Sequence, residues 1–237
     1  MKYLLLAGVL ALAPTAASAQ NRPVSAAAPA FTWTGVYAGA VAGYGIGTSA
    51  HSYQSQGTWF SHGGTDVDGG LLGATLGFNY QIDQIVLGVE ADYSIAGMKG
   101  RTVGASNEPC LRYTVAGGLV PGGYCETRLG SFGTVRARLG YSFGTTMVYA
   151  TAGFAFGEVE ALRPFEGSGR WSDTRDGWTI GAGVEHAFSG NWSVKAEYLY
   201  ADFGNQLMYP CPACTSPNHK VSLDTHTLRV GLNYRFW

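Results

Sequence analysis

Eight segments of the chain alternate apolar and polar residues with a period of two, the pattern of β-strands. One face of each segment is apolar or small throughout, and apart from His186 it carries no charged or imidazole side chain. These faces span residues 36–46, 72–80, 85–93, 129–141, 148–156, 178–188, 192–200 and 228–236. The pattern predicts eight strands, each with one face turned away from water.

The opposite faces indicate what surrounds the strands. They consist mainly of glycine and small polar residues, with a few charges. The water-facing exterior of a soluble barrel would instead be rich in Lys and Glu and poor in glycine. Small residues suit the narrow lumen of an eight-stranded barrel, and aromatic residues concentrate near the segment ends, as in the interfacial girdles of membrane barrels. We therefore predict an all-β fold, an eight-stranded antiparallel transmembrane β-barrel.

The connections between the segments alternate in length. Residues 81–84, 142–146 and 189–191 are short, whereas residues 47–68, 95–127, 158–176 and 204–223 are long, polar and rich in glycine. Outer-membrane barrels have short periplasmic turns and longer extracellular loops. The spacing therefore predicts short periplasmic turns and four long extracellular loops.

The first residues have the pattern of an export signal. Lys2 precedes an apolar stretch over residues 3–13, and the small residues Ala17, Ser18 and Ala19 follow as a cleavage pattern. The stretch is shorter than the about 20 residues that a membrane-spanning helix needs. We predict a signal peptide over residues 1–19, a periplasmic N-terminal lead over 20–33, and a barrel over 34–237.

Composition agrees with a chain that is not surrounded by water. Charged residues make up 13% of the 237 residues and glycine contributes 35 of them, whereas soluble domains usually carry about 25% charged residues. The net charge of −1 gives no reason to expect a nucleic-acid partner. Export and the barrel pattern together predict localisation in the cell outer membrane.

Charged residues on the lumen faces raise the question of how they are paired. Glu90 and Asp92 have the same spacing as Arg136 and Arg138 in the next segment along the chain, which predicts a ladder of carboxylates and guanidinium groups between the two strands. Other lumen charges extend this set, with four acidic and five basic residues in all. The predicted lumen charge network comprises Glu90, Asp92, Arg136, Arg138, Glu185, Lys195, Glu197, Arg229 and Arg235.

The four cysteines all lie in predicted long loops. Cys110 and Cys125 belong to the second of these loops, and Cys211 and Cys214 to the fourth. An exported protein meets an oxidising compartment, so the cysteines read as disulfides, with the two local pairs as the simplest connectivity. The CPAC spacing also matches a redox motif, but the βαβ context of that motif is absent. A zinc site that combines these cysteines with His219 is the weaker alternative.

Several blocks of the sequence resemble a known family: FTWTGVYAGAVAGYG, LGATLGFNYQ, VLGVEADY, FGTVRARLGY, VYATAGFAFG, GWTIGAGVEHAF, NWSVKAEYLYADFG and TLRVGLNYRF. They are similar to the small outer-membrane β-barrel proteins of alphaproteobacteria, described as outer-membrane immunogenic or porin-family proteins and related to the OmpA-type membrane domain. The resemblance implies a surface protein with envelope-integrity, antigenic, haem-binding or weak pore roles. It also implies that Tyr234, Phe236 and Trp237 form a C-terminal signal for the barrel-assembly machinery.

The predicted role is structural and surface-exposed, with a lumen plugged by the charge network, because eight strands leave an interior that side chains just fill. The alternative is a small porin that conducts ions or small solutes, and less favoured alternatives are a haem-binding or a lipid-modifying barrel. No nucleophile with a base and an orienting acid is evident, so we predict no enzyme, no cofactor and no metal site. The expected partners are outer-membrane lipid and lipopolysaccharide, the assembly machinery during biogenesis, and a host or surface ligand of the loops.

Overall fold

The computed structural model describes residues 31–55, 57–103, 112–113, 119–120, 124–162, 170–210 and 218–236. Within these ranges, no helix is long and apolar enough to cross a membrane. The same ranges contain ten strands: β1 (Gly35–Ser55), β2 (Thr58–Ile82), β3 (Ile85–Val103), β4 (Arg112–Tyr113), β5 (Leu119–Val120), β6 (Tyr124–Phe143), β7 (Thr146–Leu162), β8 (Arg170–Ser189), β9 (Trp192–Pro210) and β10 (Asn218–Arg235).

Eight of these strands close into one antiparallel barrel, which confirms the predicted fold. Its strand order is β1-β10-β9-β8-β7-β6-β3-β2, and β4 and β5 form a separate two-stranded sheet. The first and last strands close the ring, with Ala40 opposite Leu232. Every barrel strand therefore has two hydrogen-bonded neighbours, and no strand edge is left unpaired in lipid.

The connections at one end of the barrel are tight turns, as predicted. Only residues 83–84 join β2 to β3, only residues 144–145 join β6 to β7, and only residues 190–191 join β8 to β9. Asp83, Gly144 and Gly190 adopt positive φ angles of 53°, 78° and 43°. Two-residue hairpins need this left-handed backbone to match the twist of the strands. We call this end of the barrel the turn side and the opposite end the loop side.

The faces of the strands have the predicted orientation. Leu76 and Phe154 on the outer wall are 58% and 74% exposed, whereas Arg136 inside the barrel is 1% exposed. An apolar exterior with charges inside is the arrangement that a lipid environment requires.

The predicted long loops are largely strand, which corrects their boundaries. β1 continues to Ser55 and β2 begins at Thr58, so the predicted loop 47–68 is mostly a hairpin. The loops predicted at 95–127, 158–176 and 204–223 likewise lose residues to the ends of the flanking strands. β2 alone has 25 residues, whereas a membrane-spanning strand needs about 9–11. The barrel thus continues beyond its lipid-facing belt on the loop side.

The apolar face changes sides where the belt ends, and this is why the extension looked like loop. On β2, Leu72 is exposed on the outer wall, but Leu71 and Val67 are buried inside. Asp66 and Asp68, with the same parity as Leu72, lie exposed on the outside. A barrel surrounded by water keeps its apolar residues inside, so the inversion marks the end of the lipid belt.

The lumen is filled in three layers along the barrel. On β3 they follow one another as Val86, then Glu90 and Asp92, then Met98. The loop-side apolar layer contains Val67, Leu71, Ala96, Met98, Leu129, Phe132, Ala155, Val159, Leu199, Ala201, Phe203, Val221 and Leu223. The turn-side apolar layer contains Trp33, Val86, Met147, Tyr149 and Ala187, with Phe31 packed against it. The charged residues lie between these two apolar layers.

The end of the predicted N-terminal lead is part of the barrel. Trp33 is 2% exposed and belongs to the turn-side apolar layer, which corrects the end of the predicted lead over 20–33. The packed segment therefore begins at Phe31, before the predicted start of the barrel. The predicted signal peptide over 1–19 lies outside the described residues and stays a prediction.

Candidate functional site

The candidate site is the buried charge network of the lumen, and Glu90 is its centre. Arg136 Nη2 donates to Glu90 Oε1 at 2.6 Å, and Arg138 Nη1 donates to Oε2 at 3.3 Å. Lys195 Nζ lies 2.9 and 2.8 Å from the two carboxylate oxygens. The Tyr37 hydroxyl donates a further hydrogen bond of 2.7 Å to Oε2. Glu90 therefore accepts hydrogen bonds from three cations and one phenol.

Asp92 and Glu197 form the loop-side part of the network, held by two arginines. Arg136 lies 2.9 Å from Asp92 and 2.8 Å from Glu197. Arg229 lies 2.8 Å from Asp92 and 2.5 Å from Glu197. The Thr134 hydroxyl adds a 2.5 Å hydrogen bond to Asp92. The two arginines bridge the same two carboxylates, which closes a ring of charge-assisted hydrogen bonds.

Glu185 is the turn-side end of the network. Arg138 Nη2 donates to Glu185 Oε2 at 2.8 Å. The other carboxylate oxygen accepts hydrogen bonds of 2.6 Å from the Ser193 hydroxyl and 2.9 Å from the Asn233 amide. The Arg138 guanidinium also lies 3.9 Å from the centre of the Tyr149 ring, so an aromatic face covers its charge.

The network is balanced in charge and shielded from solvent. Its members are four carboxylates and four cations, and each of them is at most 5% exposed. Removing a charge from water costs several kcal/mol unless it is paired and hydrogen-bonded, and every member has an ion-pair partner within 4.0 Å. The loss of one member would leave an uncompensated charge in the lumen.

The structure brings eight of the nine predicted network residues together and contains part of the predicted ladder, because Arg136 pairs with both Glu90 and Asp92 between β3 and β6. Glu90 lies opposite Arg136 on the neighbouring strand, whereas Asp92 lies opposite Thr134. Arg138 consequently reaches Glu185 on β8 rather than Asp92. Other pairs, such as Arg136 with Glu197 and Arg229 with Asp92, join strands that are not neighbours, because side chains from opposite walls meet in so narrow a barrel.

Arg235, the ninth predicted residue, lies outside the network. Its Nη2 donates to the carbonyl oxygen of Gly190 at 3.1 Å, and its guanidinium lies 4.3 Å from the centre of the Phe31 ring. Arg235 is near the C-terminal end of β10, at the turn side, where its charge is half-buried at the mouth of the lumen.

Two tyrosines that sequence reasoning did not include belong to the network. The hydroxyls of Tyr37 and Tyr149 donate to Glu90 and Glu197 at 2.7 and 3.1 Å. Glycines on neighbouring strands leave room for the rings, since a Cβ at Gly77 would lie 2.3 Å from Tyr37, and one at Gly183 would lie 2.6 Å from Tyr149. Each tyrosine has the lumen parity of its strand, which is the signal that could have identified it.

Comparison with known proteins places the chain in a family. The profile of the outer membrane protein beta-barrel domain matches residues 4–236. The chain belongs to this family. It is 37% identical over 256 residues to the 31 kDa outer-membrane immunogenic protein of Brucella melitensis biotype 1, covering 100% of both chains. It is 31% identical over 221 residues to the 22 kDa outer membrane protein of Rhizobium leguminosarum bv. viciae, covering 92% of this chain and 83% of that relative.

This outer-membrane barrel is also similar to a solved structure, the outer membrane protein OprG from Pseudomonas aeruginosa. The two share 14% sequence identity with a TM-score of 0.48, over 86% of this chain and 96% of OprG. The family and the two relatives establish that the protein is located in the outer membrane, as predicted. The name of the Brucella relative describes location and antigenicity, and the name of the Rhizobium relative describes location.

The remaining predicted site residues lie partly outside the described part of this outer-membrane barrel. Cys110, Cys211 and Cys214 fall outside the described residues, as does the side chain of Cys125, so the disulfides stay a prediction. Tyr234 and Phe236 lie on the outer wall, where the centres of their rings are 5.5 Å apart. The centre of the Trp192 ring lies 5.0 Å from that of Tyr234. Trp237 is not described, and the assembly signal also stays a prediction.

The cleft at the turn side of this barrel is small. It has room for about one water molecule, about 10 Å³. Its walls include Trp33, Asn79, Glu185, Ser193 and Arg235. Within the described ranges, no cluster of His, Cys, Asp or Glu has the makings of a metal site.

Proposed function

We propose that this protein is a structural, surface-displaying barrel of the outer membrane with a closed lumen. The observation that carries the proposal is the neutral set of eight buried charges between two apolar layers. An ion in transit would have to displace paired charges and then cross a layer in which it finds no polar partner, and both steps are costly.

The loop-side extension supports a display role. The strands continue past the lipid belt with a packed apolar interior, which makes the extension a rigid support for the connections that it carries. The 31 kDa relative is named an immunogenic protein. We extend that antigenic role to this chain. In this proposal lipid and lipopolysaccharide surround the outer wall, and the assembly machinery is the partner during biogenesis. The loops are the surface that would bind a host ligand.

The competing function is a small porin, and planar-bilayer conductance separates the two. We expect purified, refolded protein to show no discrete channels, because an ion would have to cross two apolar layers and displace the paired charges between them. Insertion is checked on the same preparation by heat-modifiable migration in gels and by flotation with vesicles, so that silence reports a closed barrel rather than an empty membrane.

A charge variant shows whether any conductance passes through the network. Lys195→Gln removes a cation from the lumen face of β9, and the matched control Lys220→Gln removes one from the outer face of β10. Discrete openings whose cation preference changes in Lys195→Gln but not in Lys220→Gln would establish the porin function and reject the closed barrel.

A further inference from the structure

Residues 31–34 enter the turn-side mouth of the barrel, and we name them the strap. Trp33 is its anchor, with its ring buried among Val86, Met147, Tyr149 and Ala187. Its indole Nε1 donates to the Ser142 hydroxyl at 3.1 Å and to the Gly144 carbonyl at 3.0 Å. One indole thus binds the turn between β6 and β7 while it fills the end of the lumen.

Further contacts tie the strap to the other two turns. The Trp33 backbone NH donates to Gln81 Oε1 at 2.7 Å, and the Gln81 NH donates back to the Thr34 hydroxyl at 2.9 Å, beside the turn between β2 and β3. Phe31 packs edge-on against Trp33 with ring centres 5.1 Å apart. Arg235 covers Phe31 at 4.3 Å and donates to the Gly190 carbonyl in the turn between β8 and β9.

The strap stands between the mouth and the charge network. The small cleft beside Trp33 is lined by Glu185, the turn-side end of the network, and by Asn79. Asn79 is 2% exposed, and its Oδ1 has no hydrogen-bond partner. A buried amide oxygen of this kind is normally satisfied by water, so water admitted at this end would find a polar site directly beside Glu185.

We propose that the strap is a closure device that seals the turn-side mouth of the lumen against periplasmic water. Releasing Trp33 opens the turn-side apolar layer and exposes Glu185, while the loop-side apolar layer stays closed. Arg235, which the charge pattern assigned to the network, acts in this arrangement as a clamp on the strap. The inference is separate from the closed-lumen function, because only one of the three layers has to open.

Two native methionines report on the two apolar layers. Met147 and Met98 are each 1% exposed, and they lie in the turn-side and the loop-side layer respectively. Methionine oxidation follows solvent exposure, so mass spectrometry after hydrogen peroxide treatment reads each layer in the intact refolded barrel. In the wild type we expect both methionines to be protected.

We expect Trp33→Ala to speed Met147 oxidation by about tenfold or more, because each lost hydrogen bond shifts an equilibrium by roughly two- to tenfold and the ring that covers the layer is also removed. Met98 is expected to keep its wild-type rate. Trp33→Phe, which retains a ring but loses both indole hydrogen bonds, and Phe31→Ala, which removes the contact with Arg235, are expected to give intermediate rates.

Three results would overturn the proposal. The first is a wild-type Met147 that is oxidised as fast as in the variants, and the second is a Met147 that stays protected in all three variants. The third is equal acceleration of Met147 and Met98 in Trp33→Phe and Phe31→Ala, because it would mean that the whole barrel loosens rather than its mouth. Conductance of the wild type would reject the closed lumen without deciding any of these comparisons.

Discussion

Replacing Glu90 by Lys is expected to prevent assembly of the barrel. Glu90 accepts from Arg136, Arg138 and Lys195, so the substitution places a fourth cation among three. Breaking a buried pair by removing one partner already costs about 3–5 kcal/mol, and the new charge adds repulsion. We expect no heat-modifiable band after refolding and loss of the protein from outer-membrane fractions.

The milder variant Glu90→Gln makes the effect measurable. It keeps the shape of the side chain and removes its charge, and we expect the free energy of unfolding in denaturant to fall by about 3 kcal/mol or more. Among the described residues, Lys195 has Glu90 as its one ion-pair partner. Adding Lys195→Met to Glu90→Gln is therefore expected to recover part of the loss, because it removes the cation that was left without a partner.

A carboxylate on the outer wall provides the control for Glu90. Glu158 is exposed and accepts from the Ser172 hydroxyl, so Glu158→Gln is expected to change stability by less than about 0.5 kcal/mol. Equal losses for Glu90→Gln and Glu158→Gln would contradict the buried network. A double variant no more stable than Glu90→Gln alone would contradict the pairing with Lys195.

The charge network shows how much of the site can be predicted from the sequence. Period-two alternation was enough to assign eight buried charges to the lumen, because the parity of a residue decides whether its side chain points to the lumen or to the exterior. It also predicted the pairing of Glu90 with Arg136 on the next strand, but it could not identify the partners that lie across the lumen. Arg138 bonds Glu185 from a strand that is not its neighbour, and that contact depends on the width of the barrel and the stagger of its strands. Neither quantity is written in any single segment.

The loop-side extension marks a second limit. Strand assignment relied on an apolar outer face, and that rule holds only where lipid surrounds the barrel. Beyond the belt the polarity of the two faces is reversed, with Asp66 exposed on the outside and Val67 buried inside. The alternation there therefore resembles a polar loop. Trp33 was missed for a different reason, because a single aromatic between two threonines carries no periodic signal. Both features became visible only when distant segments came together.

The outward orientation of Leu76 predicts a large effect of a charge at that position. Leu76 lies in the middle of the apolar face 72–80 of β2 and is 58% exposed. We expect Leu76→Arg to lower the free energy of unfolding in lipid vesicles by about 2–4 kcal/mol, the cost of an arginine near the bilayer midplane. Measured by denaturant titration, this loss reports on lipid contact, since the lumen packing is left intact.

The matched control lies on the same strand and the same face. Asp66 is exposed on the outer wall beyond the lipid belt, so Asp66→Arg is expected to cost about 0–1 kcal/mol. The difference between the two variants should disappear in a detergent that lets water reach the belt, because the penalty comes from hydrocarbon and not from strand pairing. Equal costs in vesicles would mean that Leu76 does not face the hydrocarbon core and that the belt is misplaced along β2.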